Sequence, residues 1–124
     1  MSYSTDHNSI ARHAEDRRLR YELLRILHAS RTNDNGGWVT ARYLLDVVSS
    51  PVTTTCVGID EDRCLGLMHD LVAKGFARHE DNREFASTPY GVNYATYTIT
   101  GAGSSFIYRS APADADIDDG RRIR

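Results

Sequence analysis

Between Asp60 and Phe76 the chain reads as a short amphipathic helix with both ends marked. Advancing about 100° per residue gathers Cys64, Leu65, Leu67, Met68, Leu71 and Val72 on one arc. Asp62, Arg63, Gly66, Asp70, Ala73 and Lys74 share the other. Asp60 can accept from the free amides of the first turn, where Glu61 and Asp62 also suit the helix dipole. Lys74-Gly75-Phe76 predicts the stop, a left-handed glycine followed by an apolar residue. A strand, Phe76 to Glu80, follows at once.

The remaining elements fall in place around this helix. A longer helix is expected from Ala11 to Arg31, with Leu19, Leu23, Leu24, Ile26 and Leu27 within an arc of about 160°. Its opposite face carries Arg17, Arg18, Tyr21, Arg25 and His28. Residues 32–37 are a cluster of turn formers, and Trp38 to Thr40 suffices for an edge strand anchored by the tryptophan. Thr40 caps a helix over Ala41–Val48, which Ser49-Ser50-Pro51 ends. Val52–Val57 is β-branched and suits extended chain. After a loop over 81–93, Tyr94–Ile99 alternates like a half-buried strand and closes a hairpin. Thr100 caps a last helical segment through Phe106 and Ile107. Leu23, Leu27, Leu65, Met68 and Leu71 are the expected centre of the core.

Composition bounds the classes. With 124 residues the chain suits one domain. No apolar run exceeds the five residues from Cys64 to Met68, whereas a membrane span needs about 20. The first 30 residues lack the apolar stretch of a signal peptide, and two cysteines make no disulfide framework. The expected compartment is a reducing cytoplasm. Net charge is −2, too balanced to announce nucleic-acid binding by itself. Residues 1–10 are polar and aperiodic and are read as a flexible arm. Residues 111–124, acidic and then basic, are read as a flexible tail. The domain is placed at 11–110.

Cys56, Cys64, His69 and His79 lack the short paired spacing of zinc ligands, and Cys64 sits on the apolar arc. No nucleophile signature, phosphate-binding loop or carboxylate pair on an apolar face is present. The sequence therefore indicates no metal, no cofactor and no enzyme.

The order of elements resembles the winged-helix form of the helix-turn-helix domain over roughly residues 12–108. The resemblance rests on LRYELLRILHAS, GGWVTARYLL, LGLMHDLVAKGFARHE and YATYTITGAGSSFI. The last is similar to a Tyr-x-Leu-Thr-x-x-Gly stretch in PadR-like and MarR-like regulators. Small winged-helix proteins of phages and prophages are similar in size and layout. The resemblance implies an α+β fold, mainly helical, with a three-helix core and a hairpin wing. It implies a small sequence-specific DNA-binding regulator, with double-stranded DNA as partner.

On that basis the DNA contacts would be Arg63, Gly66 and Lys74 on the third helix. Arg42 near the start of the second helix and Arg78 and Arg83 in the wing would join them. The alternative is a winged-helix module that binds protein and no DNA. Two features bear on that choice: the third helix is net acidic, and the connection over 49–59 is long. Arg17, Arg18, Tyr21, Arg25 and His28 form the expected partner or homodimer surface. Its complement would be Asp60, Glu61, Asp62 and Asp70, reached only between molecules.

Overall fold

The computed structural model describes residues 3–50, 59–81 and 95–121. In chain order these form α1 (Tyr3–Ala29), β1 (Val39–Thr40), α2 (Ala41–Val48), α3 (Glu61–Ala73), β2 (Ala77–Asp81), β3 (Ala95–Ile99) and α4 (Gly101–Ile107). The strands make one antiparallel sheet in the order β1-β3-β2, so the fold is α+β. Three helices start at side-chain caps the sequence indicates. Thr40 accepts from the Tyr43 amide, Asp60 from Arg63 and Thr100 from Gly103. Each cap satisfies an amide that has no partner within its helix. The segment expected to be extended (52–57) lies outside the described residues, as does the loop expected over 81–93 apart from Asp81, which is the last residue of β2.

Leu23, Leu24 and Leu27 of α1, Leu44 of α2 and Met68 and Leu71 of α3 are fully buried together. Tyr97 of β3 and Phe106 of α4 close the same core. Leu65, expected at its centre, is half-buried because it lies on the flank of the apolar arc. Cys64 and Leu67 fill the buried positions instead.

The end of α3 determines where the sheet begins. Gly75 has φ +80°, the Phe76 amide donates to Leu71 O, and the Gly75 amide donates to Val72 O. This is a Schellman closure, and it turns the chain straight into β2. The start of α4 is tied to the same two residues. Thr100 donates its amide to Phe76 O and its hydroxyl to Gly75 O. Gly103 lies so close that a Cβ there would collide with the Phe76 carbonyl and sit 2.7 Å from Ile99 Cγ1.

Three expectations about the chain's extent are corrected. First, α1 starts at Tyr3, so residues 3–10 are helical and not an irregular arm. They contain no proline or glycine, and adding residues to an anchored helix is easy once it is nucleated. Second, β3 is buried on both faces: Thr96 and Thr98 are 0% and 8% exposed. It is the central strand, and its outer face is roofed by the 32–37 loop and by Arg78, whose guanidinium lies over Trp38. Third, residues 111–121 pack against the domain, with Ile117 1% exposed. The tail's apolar residues are scarce, yet a single isoleucine with polar anchors on either side holds it in place.

Gly103→Ala is expected to cost about 1–3 kcal/mol, since the Phe76 carbonyl is backbone and cannot swing aside. Gly101→Ala, with open space around it, should be neutral or stabilising by up to about 1 kcal/mol. Denaturant unfolding of the two variants checks the opposite signs.

Candidate nucleic-acid interface

The solvent-facing ridge of α3 carries Glu61, Asp62, Gly66, His69, Asp70 and Ala73. A side chain at Gly66 would meet nothing within 4 Å, so the backbone is open to close approach there. On the sheet side of the ridge, His69 Nε2 lies 3.4 Å from the Tyr97 hydroxyl. The His79 ring stacks on Tyr97, and His79 Nε2 meets Asp81 Oδ1 at 2.9 Å. Burial, with the nearby Cys64 and Asp81, pushes the Tyr97 hydroxyl up to about 12. Burial and Glu61 likewise push the Cys64 thiol up to about 11, so it packs as a neutral core side chain. Among the described residues no three His, Cys, Asp or Glu side chains converge on a point that could hold a metal. Cys56 lies outside the described residues.

Two of the arginines expected to contact DNA are exposed beside this ridge. Arg42, the second residue of α2, is 72% exposed and reaches Asp46 one turn on at 3.3 Å. Its neighbour Tyr43 is 48% exposed. Arg78 projects from the outer face of β2, where its register partner is Thr98, and lies 5.6 Å from the Trp38 ring centre. Arg83 lies outside the described residues.

Arg63 and Lys74 do not face outward, and their expected roles are corrected. Arg63 is 11% exposed, with Nε and Nη2 donating to Asp16 at 2.9 and 2.6 Å and Nη1 to Glu15 at 3.2 Å. Arg20 repeats the link in reverse, donating two hydrogen bonds to Asp70 at 2.9 and 3.1 Å. Lys74 is held by Asp114 and Asp116 at 3.0 and 2.8 Å. Hydrogen bonds that its ammonium donates to Asp116 and then Asp114 raise its pKa, though partial burial opposes them. Residues 63, 70 and 74 form one stripe along α3, turned toward α1. The wheel put them with the outward arc because they lie at its edge, and only the presence of α1 decides which way they lean. The Arg20–Asp70 and Arg63–Asp16 pairs join α1 to α3 within one molecule, and Asp70, expected to meet the basic face of another copy, is already held by Arg20. That spacing at 63, 70 and 74 was the one available signal, while nothing in the sequence singles out Arg20, Asp16 or Glu15.

The basic face of α1 is also less bare than expected. Arg25 pairs with Glu22 at 3.5 Å and lies over Tyr21. His28 meets Ser104 at 3.3 Å and the edge of Tyr108. Burial and then Arg31 lower its pKa, so it is uncharged at neutral pH. Arg17 gives its carbonyl to the Asp118 amide. Arg18, Tyr21, Glu22 and Arg25 line a shallow recess of about 270 Å³ whose other wall is Asp118, Asp119 and Gly120. The chain's own tail thus brings acids to the face that was expected to recruit them from a partner.

No protein-family model and no curated protein sequence matches this chain. Among solved structures it is similar to the crystal structure of Bacillus subtilis PadR in complex with operator DNA. The TM-score is 0.51, sequence identity is 14%, and the match covers 82% of this chain. The chain spans 52% of that protein's length. At that identity the likeness establishes the fold, a winged helix with β2 and β3 as the hairpin that follows α3. No helix of the described residues is long and apolar enough to cross a membrane.

Arg63→Ala should cost about 1–3 kcal/mol by leaving Asp16 and Glu15 without their partner, read as a lowered melting temperature. Arg42→Ala, which removes an exposed pair, should stay within about 0.5 kcal/mol.

A second expectation concerns pH. The Lys74 hydrogen bond and charge hold Asp116 below the usual carboxylate range. Burial alone would raise Asp119, but Arg121 overrides it and holds it low as well. Depressed values stabilise the docked tail fully above the unfolded pKa of about 3.9, and that contribution fades as pH falls through the folded values. The Ile117 methyl resonances should therefore hold steady from pH 7 to 5 and shift only below about pH 4.

Proposed function

We propose that this protein is a DNA-binding regulator whose contacts come from the α3 ridge, the start of α2 and the outer face of the wing. The observation that carries the reading is the winged-helix likeness to a regulator solved on its operator. Local geometry supports it. Gly66, His69 and Ala73 leave a low ridge on α3, and exposed Arg42, Tyr43 and Arg78 stand on neighbouring elements. The acids Asp70, Asp114 and Asp116 lie on the α1 side, tied to Arg20 and Lys74. On the α2 and wing side the exposed arginines offer phosphate planar, forked contacts.

In this reading Arg42, Arg78 and Arg83 hold phosphates, and sequence is read by Gly66, His69 and Ala73 in place of Arg63. A homodimer belongs to the same reading: Ile10 is 71% exposed on α1, with exposed Arg18 and Arg25 further along. Such a dimer would set two ridges at the spacing of two half-sites.

Fluorescence anisotropy with duplex DNA at about 50 to 200 mM salt tests the proposal. Arg42→Ala and Arg78→Ala should each weaken all sequences alike and flatten the salt slope by about 1. His69→Ala should relax discrimination between sequences, and Arg63→Ala should leave it unchanged. Absence of duplex binding at the lowest salt would favour a protein-binding module, and equal losses for all four variants would overturn the division of roles.

A further inference from the structure

Residues 111–121 are held by contacts of two unlike kinds. Beyond residue 116 they are deep. Ile117 is 1% exposed, and Asp119 is buried against Arg121 Nη2 at 2.6 Å. Asp119 O accepts from Arg109, and the Arg121 guanidinium lies 5.2 Å from the Phe106 ring centre. Over residues 114–116 the contacts are ionic and shallow. The Lys74, Asp114 and Asp116 side chains are 25%, 23% and 52% exposed, and Arg20 adds a hydrogen bond to Asp116 O at 2.9 Å. Asp114 Oδ1 also accepts from the Asp116 amide, which folds both carboxyl groups toward the same ammonium. A recess of about 300 Å³ opens beside them, lined by Arg20, Asp70, Ala73, Lys74 and Asp116. It borders the α3 ridge at Ala73. Carboxylate oxygens therefore surround Lys74 and Arg20 much as phosphate oxygens would.

We propose that the Asp114–Asp116 arc is an intramolecular competitor of nucleic-acid phosphate, and that DNA displaces it from Lys74 and Arg20. This rests on the DNA-binding reading above. Part-exposed ion pairs hold weakly and are screened by salt, so a polyanion can replace them. The anchors at Ile117 and Asp119 survive the exchange and keep the arc beside its site at high effective concentration. Release is therefore reversible, and the arc lowers affinity for any duplex that fails to make up the lost contacts elsewhere. Lys74 becomes a DNA contact only after this exchange.

The test uses the full chain as wild type, D114N/D116N, K74Q and the triple variant, each checked for folding by its melting curve. Affinity for a random-sequence duplex is read by anisotropy across the same salt range. D114N/D116N should bind about tenfold tighter at low salt, with a slope steeper by about one to two. That gain should fall below about twofold in the K74Q background. A gain that persists with K74Q reflects general charge removal and overturns the proposal, as does no gain at all. If none of the four proteins binds duplex, the DNA reading itself fails and the competition falls with it. In wild type, saturating DNA should shift the amides of residues 114–116 while the Ile117 methyl stays put. Unmoved 114–116 amides alongside measurable binding also overturn the proposal.

Discussion

The junction between the end of α3 and the start of α4 carries the rest of this architecture. Gly75 and Phe76 close α3 and launch β2, and Thr100, hydrogen-bonded to both, ends β3 and caps α4. Both β2 and β3 therefore hang from a few residues in direct backbone contact with the end of α3. Gly103 permits that contact, because only a missing Cβ lets α4 settle onto the Phe76 carbonyl. The Phe76 and Phe106 rings, 5.1 Å apart, fill the space beneath it. A hairpin fixed at its base holds Arg78 in a set position relative to α3.

Electrostatics divides the domain into two sides. Toward α1 and the tail, acids and bases are interleaved and satisfied: Arg63 with Asp16 and Glu15, Arg20 with Asp70, Lys74 with Asp114 and Asp116. These links clamp α3 to α1 along one stripe and leave little net field there. Toward α2 and the wing, Arg42 and Arg78 are exposed. The acidic character of α3, which argues against DNA when read alone, is largely an account of helix capping and of pairing with α1.

Local chemistry was legible in the sequence wherever one residue decides one event. Thr40, Asp60 and Thr100 cap helices because a short oxygen-bearing side chain before an amphipathic run satisfies a free amide. Gly75 ends α3 because its conformation is open to glycine and strained for others. The apolar arcs placed Leu23, Leu27, Met68 and Leu71 in the core, since burial follows helical period. Leu65 slipped because an arc has edges that only a neighbour can trim. At the candidate site, the exposed position of Gly66 followed from the same periodicity, whereas Arg42 and Arg78 were indicated only by the family resemblance. The orientation of Arg63 did not follow from it, because a guanidinium swings several ångströms and goes where carboxylates wait.

What the sequence by itself determined was the kind and order of elements, their caps and their buried faces, all properties of residues a few positions apart. Tertiary structure decided whatever depends on distant partners. It tied Arg63 and Lys74 to acids remote in sequence, because Asp16 and Asp116 lie 47 and 42 positions away along the chain. It buried both faces of β3, because the core covers one face while the 32–37 loop covers the other only once the chain has folded back over the sheet. It folded residues 111–121 onto α1, because Ile117 gains nothing until α1 and α4 together form the site that receives it. Side-chain charge and apolar area are local quantities, whereas the burial and pairing that give them consequence exist only after the chain has closed on itself.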